Sequence, residues 1–134
     1  MKDLIKDFLN QKKIAIAGSF RNETKYAYRI LKQLKEKGYI IFPINPGISQ
    51  VEGIKCYPSV LNITEKIDAI NLVTPPDITT NVVKECKTAN IMRVWMQPGA
   101  ESKEAIDFCL NNNMKVIYDV CIMLESAKTH IKHE

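Results

Sequence analysis

Apolar positions along this chain switch repeatedly between a helical period and short continuous runs. Leu4, Ile5, Phe8 and Leu9 recur at helical spacing and predict an amphipathic helix over residues 1–12. Lys13-Ile14-Ala15-Ile16-Ala17 is a brief apolar run that stops at Gly18, the pattern of a strand buried on both faces. Residues 19–24 are polar and read as a loop. Ala27, Ile30, Leu31 and Leu34 return to the helical period, and Lys35 and Lys37 with Gly38 just beyond give that helix a stop. Tyr39–Ile44 is a second strand, broken by Asn45-Pro46-Gly47. Residues 48–66 read as a weakly patterned crossover. Ala69–Val73 is a third strand, ended by Thr74-Pro75-Pro76, and Asp77 is placed to cap a helix faced by Ile78, Val82, Cys86 and Ala89. Ile91–Met96 is a fourth strand. After the turn Gln97-Pro98-Gly99 comes a helix faced by Ala105, Ile106, Cys109 and Leu110, then a fifth strand at Val116–Tyr118 and a last helix beyond Asp119.

Strands alternating with helices predict an α/β fold, Rossmann-like, with three layers α/β/α and a five-stranded parallel sheet in the order 3-2-1-4-5. The length of 134 residues predicts one domain, with a helix over 1–12 and a polar tail over 126–134. Open sheets of this class bind ligands beyond the carboxyl ends of their strands, where the strand order reverses. With the order 3-2-1-4-5 that point lies between the first and fourth strands. It gathers the loops Gly18–Lys25 and Gln97–Ala100, with Asn45–Gly47 and Thr74–Asp77 alongside.

Composition narrows the picture. Hydrophobic residues are 46% and charged residues 25% of the chain, the balance of a globular protein, and no apolar run is long enough to cross a bilayer. The opening Met1–Asp7 mixes acids with bases, unlike a signal peptide, so a cytoplasmic location away from membranes is expected. The net charge of +4 is interleaved with acids, which does not call for nucleic acid but suits a ligand carrying several phosphates. Cys56, Cys86, Cys109 and Cys121 are widely spaced with no C-x-x-C pair, so neither a metal site nor a redox dithiol is expected.

The loops carry the candidate chemistry. Gly18-Ser19-Phe20-Arg21-Asn22-Glu23-Thr24-Lys25 leads into a helix, whose N-terminal N–H groups attract phosphate; Gly18 allows close backbone approach, and Arg21 and Lys25 add charge. Gly18 by itself equally fits a plain turn. The second strand ends in Pro43-Ile44-Asn45-Pro46, without the acid that grips the ribose in NAD sites. Asn45 either donates to a phosphate or ribose oxygen or simply makes the turn. Thr74-Pro75-Pro76 forms a stiff wall suited to a base, or only a strand stop. Trp95 is expected in the core, whereas Gln97, beside Gly99, has no evident packing role and is the better ligand candidate. Cys121 near a helix start has a nucleophile as its sharper reading and a buried thiol as its plainer one. His130 and His133 fall in the polar tail, and no catalytic constellation is visible, so the chain is not expected to be an enzyme.

Several segments together resemble a known family. They are Ile14-Ala15-Ile16-Ala17-Gly18, Tyr28-Arg29-Ile30, Gly38-Tyr39, Pro43-Ile44-Asn45-Pro46, Gly53, Tyr57-Pro58-Ser59, Val94-Trp95-Met96-Gln97-Pro98-Gly99-Ala100, Glu104-Ala105 and Asp119-Val120-Cys121 with Glu125. From about Lys13 to Glu125 the chain resembles the small stand-alone CoA-binding proteins, relatives of the CoA-binding domain of the succinyl-CoA synthetase α subunit. It departs from the usual family pattern where Phe20 and Arg21 fill early loop positions, where Lys25 and Ala27 stand in place of an arginine and a serine, and where Asp119-Val120-Cys121 lacks an arginine. The resemblance implies a Rossmann-like fold with coenzyme A or an acyl-CoA across the strand-end loops, its phosphates at the loop after Gly18 and at the Asn45 turn. It implies binding without catalysis, with an acyl-CoA ligase subunit or a second copy as partner. An NAD(P)-binding redox sensor or small oxidoreductase on the same fold is the alternative.

Overall fold

The computed structural model describes residues 1–129 and 133. Strand β1 (Lys13–Ala17) shows why the continuous apolar run was needed. Ile14 and Ile16 point to one face and Ala15 and Ala17 to the other, and all four are buried. Beside β1 run β2 (Ile40–Ile44) and β5 (Ala69–Leu72), followed by β6 (Arg93–Met96) and β7 (Lys115–Ile117), all parallel. Helices α1 (Lys2–Leu9), α2 (Tyr26–Glu36) and α5 (Ile122–Ala127) pack on the face of Ile14, Ile16, Ala69 and Trp95. Helices α3 (Pro76–Thr88) and α4 (Lys103–Asn111) pack on the face of Ala15, Ala17, Ile70 and Met96. Three layers with a parallel sheet in the middle are therefore the observed class. Trp95 is fully buried and meets the Phe8 ring edge-on at 5.2 Å, tying α1 to the sheet.

The strand order departs from expectation. The sheet runs β2-β1-β5-β6-β7, so its five long strands in chain order are arranged 2-1-3-4-5 and not 3-2-1-4-5. Pro43 explains why. The backbone N–H of Ile40 bonds to Lys12 on the β1 side and that of Asn45 bonds to Tyr57 on the outer side. By alternation the missing N–H of Pro43 faces outward. A proline is tolerated there because β2 is an edge strand; between two neighbours it would have removed a ladder bond.

Residues 48–66 hold more structure than their pattern foretold. β3 (Gln50–Val51) and β4 (Ile54–Lys55) form a hairpin whose turn residues Glu52 and Gly53 both have positive φ. A 3₁₀ turn follows at Val60–Asn62, capped by the Ser59 hydroxyl, which accepts from Leu61 N. Asp77 does not cap α3: the capping position is Pro75 and Pro76 is the first helical residue. The buried face of α3 is Thr79, Thr80, Val83 and Cys86, rotated from the expected Ile78, Val82, Cys86 and Ala89. On α4, Leu110 turns outward while Ala105 and Cys109 are buried. His133 is half-buried, not solvated: its N–H donates to Lys37 O at 2.8 Å and its ring lies 4.5 Å from that of Tyr39. His130 lies outside the described residues.

Candidate functional site

The carboxyl ends of β1, β2 and β5 open onto a cleft of about 450 Å³. The chain leaves β1 for β2 on one side and returns to β5 on the other, so the point where strand order reverses lies between β1 and β5. Sequence placed it between the first and fourth strands; the edge position of β2 moves it. Ala17, Gly18 and Ser19 line the cleft from the first loop, Ile44, Asn45 and Pro46 from the second, and Val73, Thr74 and Pro75 from the third. Pro58 and the α3 face Ile78, Asn81, Val82 and Glu85 complete it.

Each lining residue has a local reason for its place. A Cβ on Gly18 would stand 2.7 Å from Ala27 Cβ and 3.2 Å from Val73 Cβ, so only glycine lets the start of α2 and the end of β5 close on this loop. Asn45 spends its side chain within the loops: Nδ2 donates to Gly18 O and Oδ1 accepts from Gly47 N, each at 2.7 Å. It joins the first loop to the second and leaves one amide proton for a ligand. The Thr74 hydroxyl lies 2.6 Å from that of Thr79, which is on the buried face of α3. Ile78 is 43% exposed although apolar, because the face it shares with Val82 looks into the cleft instead of the core.

Helix α2 begins beside this cleft with no side chain capping its first turn and no acid within it. Its N–H groups and the positive end of its dipole are left for an anion. Arg21 is exposed and Lys25, the capping residue, is half-buried; among the described residues neither is held in an ion pair. Neither lines the cleft. Phe20 turns into the core at 4% exposure, so its backbone alone faces the loop's chemistry.

The second half of the sheet edge is closed. Gln97 is 1% exposed and does have a packing role: Oε1 accepts from Ile122 N at 2.8 Å and from Asn71 Nδ2 at 3.3 Å, and Nε2 reaches Cys121 Sγ at 3.4 Å. Trp95 Nε1 donates to Val120 O at 2.9 Å. Gly99, with φ at +95°, shapes the turn into α4, and its N–H donates to Glu101 Oε1. Neither Gln97, Gly99 nor Pro76 lines the cleft. Cys121 sits above this region with the Tyr26 hydroxyl at 3.0 Å. Burial opposes ionisation of its thiol, but hydrogen bonds from Tyr26, Leu124 N, Gln97 and Met123 N outweigh it and hold the pKa below the ordinary thiol value. Burial drives Cys109 the opposite way, up to about 12, and Cys86 higher still. Among the described residues no three His, Cys, Asp or Glu side chains converge as a metal site.

The α3 face was missed by sequence reasoning, although Ile78, Asn81, Val82 and Glu85 have the i, i+3, i+4, i+7 spacing of one helical face. Its apolar members Ile78 and Val82 read as core in sequence, which masks an apolar face turned to a cleft.

A family model described as "CoA binding domain" matches residues 12–127. The chain belongs to this CoA-binding family. Over 75 residues it is 41% identical to the ADP-forming acetate–CoA ligase of Methanocaldococcus jannaschii, a match covering 56% of the chain and 11% of the ligase. The matched segment thus spans only about a tenth of the length of that relative. It is 29% identical to the Bacillus subtilis protein YneT over 93% of each. A hypothetical protein from Pyrococcus horikoshii OT3 superimposes with a TM-score of 0.91 at 31% identity, over 96% of this chain and 91% of that one. No described helix is long and apolar enough to cross a membrane.

Proposed function

We propose that this protein binds coenzyme A or an acyl-CoA in the β1–β2–β5 cleft without catalysing a reaction on it. The observation that carries the reading is the cleft itself: an apolar-walled opening of about 450 Å³ beside an uncapped, acid-free helix start. Such a site takes a molecule with an apolar base at one end and phosphates nearby. The phosphates lie along the backbone of Gly18, Ser19 and Phe20, with Arg21 and Lys25 neutralising charge and the free amide proton of Asn45 adding a donor. The adenine rests between Pro46 and the wall of Thr74 and Pro75. The turn after β2 presents no acid to ribose hydroxyls, which argues against NAD, and the single glycine of the first loop, without a G-x-G-x-x-G, argues against the NAD(P) alternative as a whole. Identity with an acetate–CoA ligase supports a ligase subunit as the docking partner, with the reaction carried by that partner.

The test is titration calorimetry of the purified protein with CoA, acetyl-CoA, dephospho-CoA, NAD and NADP. CoA and acetyl-CoA bind, dephospho-CoA binds less tightly, and NAD gives no heat. Heat from NAD alone, or from none of the five, overturns the reading.

A further inference from the structure

One carboxylate in the cleft has no task in holding phosphate. Glu85 lines the wall made by α3, four residues beyond Asn81 and on the same helical face. Its Oε1 accepts from the Ser59 hydroxyl at 2.9 Å. Ser59 is itself fixed, because the same oxygen accepts from Leu61 N at the start of the 3₁₀ turn. The carboxyl group is thus anchored between α3 and the 3₁₀ segment. Among the described residues nothing engages Oε2, although seven ion pairs form elsewhere on the surface.

A carboxylate held in no described ion pair is a poor neighbour for phosphates and would weaken a site that only had to hold them. An ionised carboxylate only accepts hydrogen bonds. It therefore favours a ligand group that donates and disfavours one that accepts. The walls around it are apolar: Ile78 and Val82 on the same helix, Pro46 and Pro75 opposite. A flat heteroaromatic ring with an exocyclic amine meets both demands, stacking on the walls and donating to Oε2.

Resting on the reading that the adenosine end of CoA occupies this cleft, we propose that Glu85, anchored by Ser59, reads the exocyclic amine of the base. It makes the site select an amino-purine over an oxo-purine. With adenine the amine donates to the carboxylate; with hypoxanthine a carbonyl oxygen takes the amine's place and two acceptors face each other. The discrimination resides in this one side chain and not in the phosphate loop, which both ligands use alike.

The experiment is titration calorimetry of the full chain with CoA and with its hypoxanthine analogue, comparing wild type with Glu85→Gln and Glu85→Ala. Wild type binds CoA about tenfold more tightly than the analogue, the size of a charge-assisted contact in a partly exposed site. In Glu85→Gln the amide rotates to donate to the carbonyl, and the ratio falls to about threefold or less. Glu85→Ala gives the same collapse if Glu85→Gln does not melt cooperatively. CoA binding with a wild-type ratio within about twofold, or with a ratio unchanged in the variants, overturns the role of Glu85 and leaves the CoA reading standing. Absence of CoA binding to wild type overturns both.

Discussion

The two halves of the sheet's carboxyl edge start from similar material and end in opposite states. At β1, β2 and β5 the loops diverge around a cleft, with an apolar helix face open to it and an uncapped helix start beside it. At β6 and β7 the polar side chains are spent on one another: Gln97 holds Asn71, the start of α5 and Cys121, and Trp95 holds Val120. The difference follows from where the chain reverses direction. Between β1 and β5 successive crossovers leave to opposite sides and nothing fills the gap; at β6 and β7 the chain moves steadily outward and α5 settles over the end. Polar residues at strand ends therefore line an open cleft on one half and form a clasp on the other.

The sharpest way to break this contrast is at the clasp. Gln97→Ala strands Ile122 N and Asn71 Nδ2 in a buried place and is expected to cost about 3 kcal/mol of folding stability by urea titration, with CoA affinity in the surviving folded protein unchanged. A loss of affinity without loss of stability would make Gln97 part of the site. On the open half, Gly18→Ala pushes a methyl to 2.7 Å from Ala27 Cβ and is expected to cost about 2 kcal/mol while weakening ligand binding, because the start of α2 must shift. Calorimetric binding that stays at the wild-type value would show that the helix start does not meet the ligand. Lys25→Glu should lower CoA affinity about tenfold and leave the melting temperature close to wild type, since a half-buried charge held in no described ion pair contributes little to folding. Equal affinity would move the phosphates elsewhere.

The smallest effect concerns Cys121. Its alkylation by iodoacetamide should reach half-maximal rate at a pH below the ordinary thiol value, and Tyr26→Phe should move that midpoint upward. Because the folded state favours the thiolate, the associated stability is present above the unfolded thiol's pKa of about 8.5 and disappears as pH falls through the folded value. Mass spectrometry of the native protein should find Cys121 modified well before the buried Cys86 and Cys109. Equal labelling of the three would contradict the environment described for each.

Much of the architecture was legible locally. Five apolar runs, helical spacing in between and stops such as Gly38, whose positive φ ends α2, lie within a few residues of their causes. The family resemblance read from segments between Lys13 and Glu125 agrees with the match over residues 12–127. Of the candidate site residues, Gly18, Ser19, Asn45, Pro46, Thr74 and Pro75 meet at the cleft. Gln97 looked idle in sequence because its partners, Asn71 and Ile122, are about 25 residues away in each direction.

The sequence alone determined the kind of each long strand and helix and the ends at which loops gather, since these follow from periodicity, capping and chain-breaking residues acting over a few positions. Only the tertiary structure decided the order of the strands, and with it the place of the cleft. A strand buried on both faces carries the same apolar run wherever it stands, so its neighbours leave almost no trace in its own sequence. The one trace was Pro43, whose missing N–H is tolerated only toward an edge. The tertiary structure also decided which polar side chains remain free. Whether Asn45, Gln97 or Glu85 meets a ligand depends on partners distant in the chain, and a hydrogen bond already made within the fold is no longer open to one.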